Sequence, residues 1–348
     1  MNYKEALFFI GKCLTISHDE GNRDLISKKI KSEDIDWDSV VKMSTAHYVF
    51  PALYHNLSRA NLLSFLPEDL VAYMKHISDL NKDRNLEIIE QAKEINQLLT
   101  ENGITPIFLK GTGFLLIDHY EDISERMLSD IDFLVSGKDF ERTIQLLKED
   151  SYAEKDSLDR TFVNRHYTAL IHPNRIAAVE VHHSMTSNPY RKEFNYEIVA
   201  SHLNKKNGIT TLSLENQLLL TIFNKQVNDY GQLYKTISLR SSYDVFTSAI
   251  NVNTLDVIQD FGVYFDLLNN FLASSQWVLG TQKITTIENE SSKKFIKDQL
   301  YFLEHPEKEK KNRKKWNRII LVKSKLNIFT KLFYDKRAWK YVLQRTSK

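Results

Sequence analysis

Across residues 37–57 the apolar positions recur at steps of three and four, which puts them on one face of a helix, with Asp36 just ahead as a capping acid and Pro51 as an interruption. Residues 68–99 continue the helical spacing as one or two long helices, stopped by the turn signal Glu101-Asn102-Gly103. The texture then changes. Short apolar runs at 104–109 and 131–135 read as strands, and Lys110-Gly111-Thr112-Gly113 opens a helix-like segment reaching Tyr120. A helix is expected over 139–148, and β-rich runs follow at 167–171 and 176–182. Beyond Leu212 helical spacing returns as far as about Leu279. The pattern predicts an α+β chain: a helical region over 1–102, a compact centre over 103–212, a second helical region over 213–290, and a tail over 291–348.

Composition narrows the class. The 348 residues suffice for about two domains, and 42% hydrophobic with 26% charged residues excludes a disordered or low-complexity chain. Ten glycines and six prolines are few for this length, which favours long helices. The single cysteine, Cys13, rules out an internal disulfide, and no Cys/His set has zinc spacing. The first 24 residues carry only a short apolar patch and read as an amphipathic helix, and nothing approaches the roughly 18 apolar residues of a membrane span, so a cytoplasmic setting is expected. The formal charge of +2 conceals a split: residues 308–348 hold 15 Lys and Arg against Glu309 and Asp335, a net of +13, which leaves −11 for residues 1–307. Trp316, Phe329, Phe333, Tyr334, Trp339 and Tyr341 interleave with those cations. Such a tail suits a polyanion such as RNA, an anionic lipid surface, a helix docked on the body, or a merely solvated face.

Candidate chemistry concentrates in the centre. Asp130-Ile131-Asp132-Phe133 places two carboxylates at i and i+2 of a strand, on one face, with Ile131 and Phe133 on the other. Two acids at a strand mouth repel unless a cation pairs them, and magnesium favours a few carboxylate oxygens completed by phosphate and water. Val179-Glu180-Val181-His182 alternates in the same way, so Glu180 can bring a third carboxylate from a neighbouring strand to a cluster of the kind used for phosphoryl displacement, with His182 on the same face to orient it or meet substrate. Asp34-Ile35-Asp36 has the same spacing but precedes a helix and is read as a cap. His47 and His55, on an apolar stripe, are read as structural, whereas the spacing does not assign His183, Lys225 or Asp244.

Phe108-Leu109-Lys110-Gly111, then Arg126-Met127-Leu128-Ser129-Asp130-Ile131-Asp132-Phe133-Leu134-Val135, then Val179-Glu180-Val181-His182 resembles the uncharacterised bacterial nucleotidyltransferase family of the polymerase-beta-like superfamily. The resemblance spans roughly residues 37–280, including Asp36-Trp37, Ala46-His47 and Pro51, and Leu239-Arg240 to Asp244-Val245, in the flanking helices. It implies a nucleotidyltransferase fold, a small mixed sheet with helices, and transfer of a nucleoside monophosphate from a nucleoside triphosphate such as ATP with Mg²⁺ or Mn²⁺. Asp130, Asp132 and Glu180 are the expected metal and catalytic residues, and Lys110, Gly111, Thr112, Arg126 and Ser129 the expected nucleotide contacts. Lys110-Gly111-Thr112 stands where the superfamily usually has a Gly-Ser turn; its glycines would admit phosphate to backbone N–H groups and its lysine would add charge. The acceptor stays open among a tRNA end, a protein hydroxyl and a small molecule, and so does a catalytically silent nucleotide-binding adaptor.

Overall fold

The computed structural model describes residues 1–32, 34–155, 165–335, 338–339 and 341–343. Lys336, Arg337, Lys340, Arg345 and Lys348, which contribute to the tail's charge, lie outside the described residues.

A seven-stranded mixed sheet forms the centre, built from β1 (Ile107–Phe108), β2 (Asp130–Leu134), β3 (Ala153–Glu154), β4 (Leu170–Ile171), β5 (Ala178–His182), β6 (Leu203–Lys206) and β7 (Ile209–Leu212) in the order β3-β4-β5-β2-β1-β7-β6. β2 and β5 lie side by side and parallel, with Asp132 opposite Glu180. That pairing puts the two motifs in register, because strand neighbours directly opposite share a face. The other face is apolar: Ile131, Phe133, Val179 and Val181 are fully buried beneath the helix Phe140–Glu149 and the C-terminal half of Glu68–Glu101. The β6–β7 hairpin was not among the expected elements. Its signal is the Asn207-Gly208 pair, both with positive φ, as a two-residue turn matched to strand twist requires.

Glu68–Glu101 is one helix of 34 residues, about 51 Å long. Its inward positions, Met74, Ser78, Asn81, Asn85, Ile88, Ala92, Ile95 and Leu99, alternate steps of four and three. The stripe changes character midway. Ile88 to Leu99 join the core beneath the sheet, whereas Ser78, Asn81 and Asn85 are polar and hold the turn that precedes β2. Gln91 clamps the residue before β5, donating to Ala177 O at 3.0 Å and accepting from Ala177 N at 3.1 Å. One rigid rod therefore sets both acid-bearing strands.

Helices from the two ends of the chain share a second core. Tyr3–Cys13 crosses Phe265–Leu279 so closely that a Cβ on Gly11 would sit 2.2 Å from Val278 O, Phe8 meets Trp277 edge to face at 4.7 Å, and Asn22 Nδ2 donates to Leu279 O at 2.9 Å. Asp36 caps Trp37–Ala46 through Ser39 N, as its position before a helix suggests. The break in the 37–57 run falls at His47-Tyr48-Val49, where Tyr48 has a left-handed φ of 57°, and Pro51 lies in the first turn of the next helix, Phe50–Arg59. Proline there lacks only an N–H that would be unpaired anyway. Among the described residues, no helix is long and apolar enough to cross a membrane.

Candidate active site

Asp132 lies at the centre of a buried polar cluster. Its Oδ1 is 2.6 Å from Lys110 Nζ and 2.8 Å from His182 Nε2, and Glu180 Oε2 is 3.7 Å from both His182 Nε2 and His166 Nε2. Asp132, Glu180 and His182 each offer a ligand atom within 4.8 Å of the others, a donor set of two carboxylates and one imidazole that fits a divalent cation. Asp130 stands two residues back on the same face of β2, outside that group, with its Oδ1 accepting from Ser129 Oγ at 3.2 Å.

The two acids of the motif titrate in opposite directions. Burial pushes Asp130 up, and the like charge of Asp132 adds to the rise. Burial acts on Asp132 too, yet Lys110 and His182 outweigh it and hold its carboxyl far below the ordinary range. Glu180 is likewise held down against burial, by the His182 and His166 rings. Asp130 has no ion-pair partner among the described residues, so it is the uncompensated charge that an external cation would meet.

The loop after β1 supplies Lys110. Its φ of 52° is left-handed, and its N–H donates to Gln217 Oε1 at 3.0 Å. Gly111 and Gly113 permit close packing here: a Cβ at Gly111 would lie 2.2 Å from Leu128 Cδ2, and one at Gly113 would lie 2.8 Å from Phe108 O. Thr112 is buried and donates to Asp130 O at 3.0 Å, which ties the helix Lys110–Leu116 to the mouth of β2.

Arg126 points to the helical region. Its Nε is 3.0 Å from Asp244 Oδ1, to which Tyr120 also donates at 2.7 Å. Burial alone would lower its pKa, but Asp244 and Tyr120 reverse the shift. The preceding Glu125 mirrors this, paired bidentately with Arg59 at 2.8 and 3.2 Å and accepting from Tyr243 Oη at 2.5 Å. The adjacent pairs Glu125-Arg126 and Tyr243-Asp244 thus lock the approach to β2 onto the helices Phe50–Arg59 and Leu239–Ala249. His55 Nε2 bonds Ser78 and Ser124 in the same network, consistent with a structural role.

Between the sheet edge and those helices lies a cavity of about 380 Å³. Asp130 and Asp132 line it with Lys110, Gly111, Arg126 and Ser129 from the sheet side, together with Lys225, Arg240, Asp229 and His47 from the helical region. Lys225 sits in a π-helical turn, Asn224–Asn228. Burial lowers the pKa of both Lys225 and Arg240; Asp229 opposes the shift at Lys225, and Asp244, Asp130 and Asp229 oppose it at Arg240, while neighbouring cations deepen it, and neither makes a close ion pair among the described residues. Half-buried cations with no carboxylate in direct contact suit an anion. Glu180, His182 and Thr112 do not line this cavity; Glu180 and His182 flank Asp132 on its other side.

The folding of the chain therefore brings Lys110, Gly111, Arg126, Ser129, Asp130 and Asp132 to one cavity and Glu180 and His182 to its edge. Sequence reading passed over His166, which an isolated bridge sets beside His182, and gave Arg240 a place in the flanking helix but no site role. Lys225 and Asp244, unassigned by spacing, both border the cavity, and His47 does so while its Nδ1 accepts from Leu239 N at 3.3 Å.

An acid-bearing mixed sheet closed by helices over a cation-walled cavity is the architecture of a nucleotidyltransferase. The chain matches the family described as "Uncharacterised nucleotidyltransferase" over residues 33–255, and it belongs to that family. No curated protein and no solved structure matches it.

Proposed function

We propose that this protein transfers a nucleoside monophosphate from a nucleoside triphosphate to an acceptor hydroxyl, with Mg²⁺ or Mn²⁺. The observation that carries this reading is the cavity: cations with no carboxylate in direct contact from the helical region, an acid pair from the sheet side, and one of those acids shared with a carboxylate–imidazole group. A divalent cation bound there supplies charge neutralisation for the phosphates and for the departing pyrophosphate. Asp130 and Asp132 would hold it, with Glu180 and His182 completing the set. Lys225, Arg240 and Lys110 grip the triphosphate, each contact a charge-assisted hydrogen bond. On the Glu180 side, the acceptor hydroxyl attacks the α-phosphorus, its proton passes to the Glu180 carboxylate, and the bond to the bridging oxygen breaks to release pyrophosphate. His182 Nε2 lies 2.8 Å from Asp132 Oδ1, a contact it would exchange for the cation.

The test is pyrophosphate release with each NTP and a lysate of candidate acceptors, in wild type, Asp130→Asn and Asp132→Asn. Loss of transfer and of metal-dependent nucleotide binding in both variants supports the assignment, with Asp130→Asn keeping the wild-type melt and Asp132→Asn melting lower because it strands Lys110. Full transfer by both variants refutes it. A second reading rests on the 2.6 Å Lys110–Asp132 pair, an internal cation already seated on the acid: a silent nucleotide-binding protein would bind NTP without added metal and release no pyrophosphate.

A further inference from the structure

The helix Pro306–Lys331 buries none of its 26 residues. Its start is moored to the body: Asn312 Nδ2 donates to Leu233 O at 3.0 Å, Tyr234 Oη donates to Asn317 Oδ1 at 2.6 Å, and the Arg313 guanidinium lies 5.1 Å over the Tyr234 ring. Past Asn317 the helix leaves the body. Every residue from 321 to 327 is exposed, and the side chain of Thr330 bonds back to Asn327 within the helix.

This departing half is apolar. Among the described residues, six of the 23 exposed large hydrophobic ones fall on residues 321–334: Leu321 (54%), Val322 (55%), Leu326 (58%), Phe329 (58%), Phe333 (78%) and Tyr334 (73%). Ile319, Val322, Leu326, Phe329 and Phe333 follow one another at steps of three and four, so they form one stripe. Around them the charge has a single sign, since residues 310–334 hold nine Lys and Arg and no Asp or Glu.

Those two features together select the occupant. A second copy of the helix would cover the stripe but would set Arg318, Lys323 and Lys325 against their equivalents with no acid to compensate. A nucleic acid would meet the cations but offers nothing to Leu321, Val322 and Leu326, which have no ring face for a base. An anionic bilayer satisfies both, with apolar side chains at the boundary of headgroup and acyl chain and lysines on lipid phosphates. No described helix can span a bilayer, so the contact is interfacial. We propose that residues 318–334 seat this protein on an anionic lipid surface.

The experiment is co-sedimentation of the full chain with vesicles of phosphatidylcholine alone or mixed with phosphatidylglycerol. The wild type is expected to pellet with the mixed vesicles only. Leu326→Glu with Phe329→Glu, and separately Lys323→Glu with Lys325→Glu, should each weaken that binding by about tenfold or more. All four positions are exposed, so the variants should keep the wild-type melt, which circular dichroism checks. Three results overturn the proposal: no pelleting with mixed vesicles, equal pelleting with neutral ones, or a light-scattering dimer dissolved by Leu326→Glu with Phe329→Glu while vesicle binding is absent. Binding to an RNA oligomer that persists in that variant, without vesicle binding, overturns it in favour of nucleic acid. No nucleotide is present in any arm, so the result is independent of the catalytic reading.

Discussion

Asp244→Asn removes one charge and almost no volume from the pair that joins the β2 approach to the helical region. Arg126 is 9% exposed and Asp244 3%, and the Arg126 Nε to Asp244 Oδ1 distance is 3.0 Å. A guanidinium left in such a place without its carboxylate typically costs about 3–5 kcal/mol. The lower end applies here, about 3 kcal/mol, because Arg126 borders the open cavity and can reach water. In a chain of this size each kcal/mol moves the midpoint by about 1.4 °C, so Asp244→Asn should melt about 4 °C below wild type in a calorimetric scan. An exposed pair gives the contrast: Arg142 and Glu149 are 3.8 Å apart and about half exposed, and Glu149→Gln should change stability by less than about 0.5 kcal/mol. Arg126→Met combined with Asp244→Leu should recover most of the loss, since a packed apolar pair avoids the stranded charge. A saturating nucleoside triphosphate should also narrow the deficit of Asp244→Asn, by giving Arg126 a phosphate partner. If Asp244→Asn melts within about 1 °C of wild type, Arg126 does not depend on this carboxylate and the account of the lock is wrong.

Glu180→Gln should lower kcat by about 10²-fold with a smaller change in KM for NTP, because its place is on the acceptor side of Asp132; single-turnover assays that show an equal loss of NTP affinity would move it to the triphosphate. Lys225→Gln and Arg240→Gln should each raise the Kd for NTP by about tenfold or more, the scale of one charge-assisted bond, with little effect on the melt, as nucleotide titrations would report. His119 carries the pH prediction. Burial holds its pKa at about 4, against about 6.5 in the unfolded chain. The unfolded state therefore binds the extra proton first as pH falls, so the penalty is absent above pH 6.5, grows down to about pH 4 and is constant below, reaching roughly 3 kcal/mol at most. His119→Gln should flatten the melt against pH over that window, and an unchanged slope would show that the ring is already charged in the fold.

The local chemistry was legible in the chain. Alternation alone puts Asp130 with Asp132, and Glu180 with His182, on one face of their strands, since the strand period is two whatever the sheet around it. The long helix was legible through its unbroken stripe, and the Asp36 cap through its place before a helix. The β6–β7 hairpin was missed although Asn207-Gly208 announced it, because its strands are four residues each and carry little periodic signal. What the chain could not disclose is which faces meet. Asp132 and Glu180 are opposite only because β2 and β5 pair in parallel and Gln91 clamps the start of β5. The unlike titration of Asp130 and Asp132 depends on Lys110 and His182, both brought from elsewhere in the chain and in direct contact with the second acid. Lys225 and Arg240 belong to no site motif, and they come to suit an anion through burial with no carboxylate in direct contact. Periodicity is a property of neighbours along the backbone, whereas burial and charge pairing belong to neighbours in space, and only the packed fold creates those.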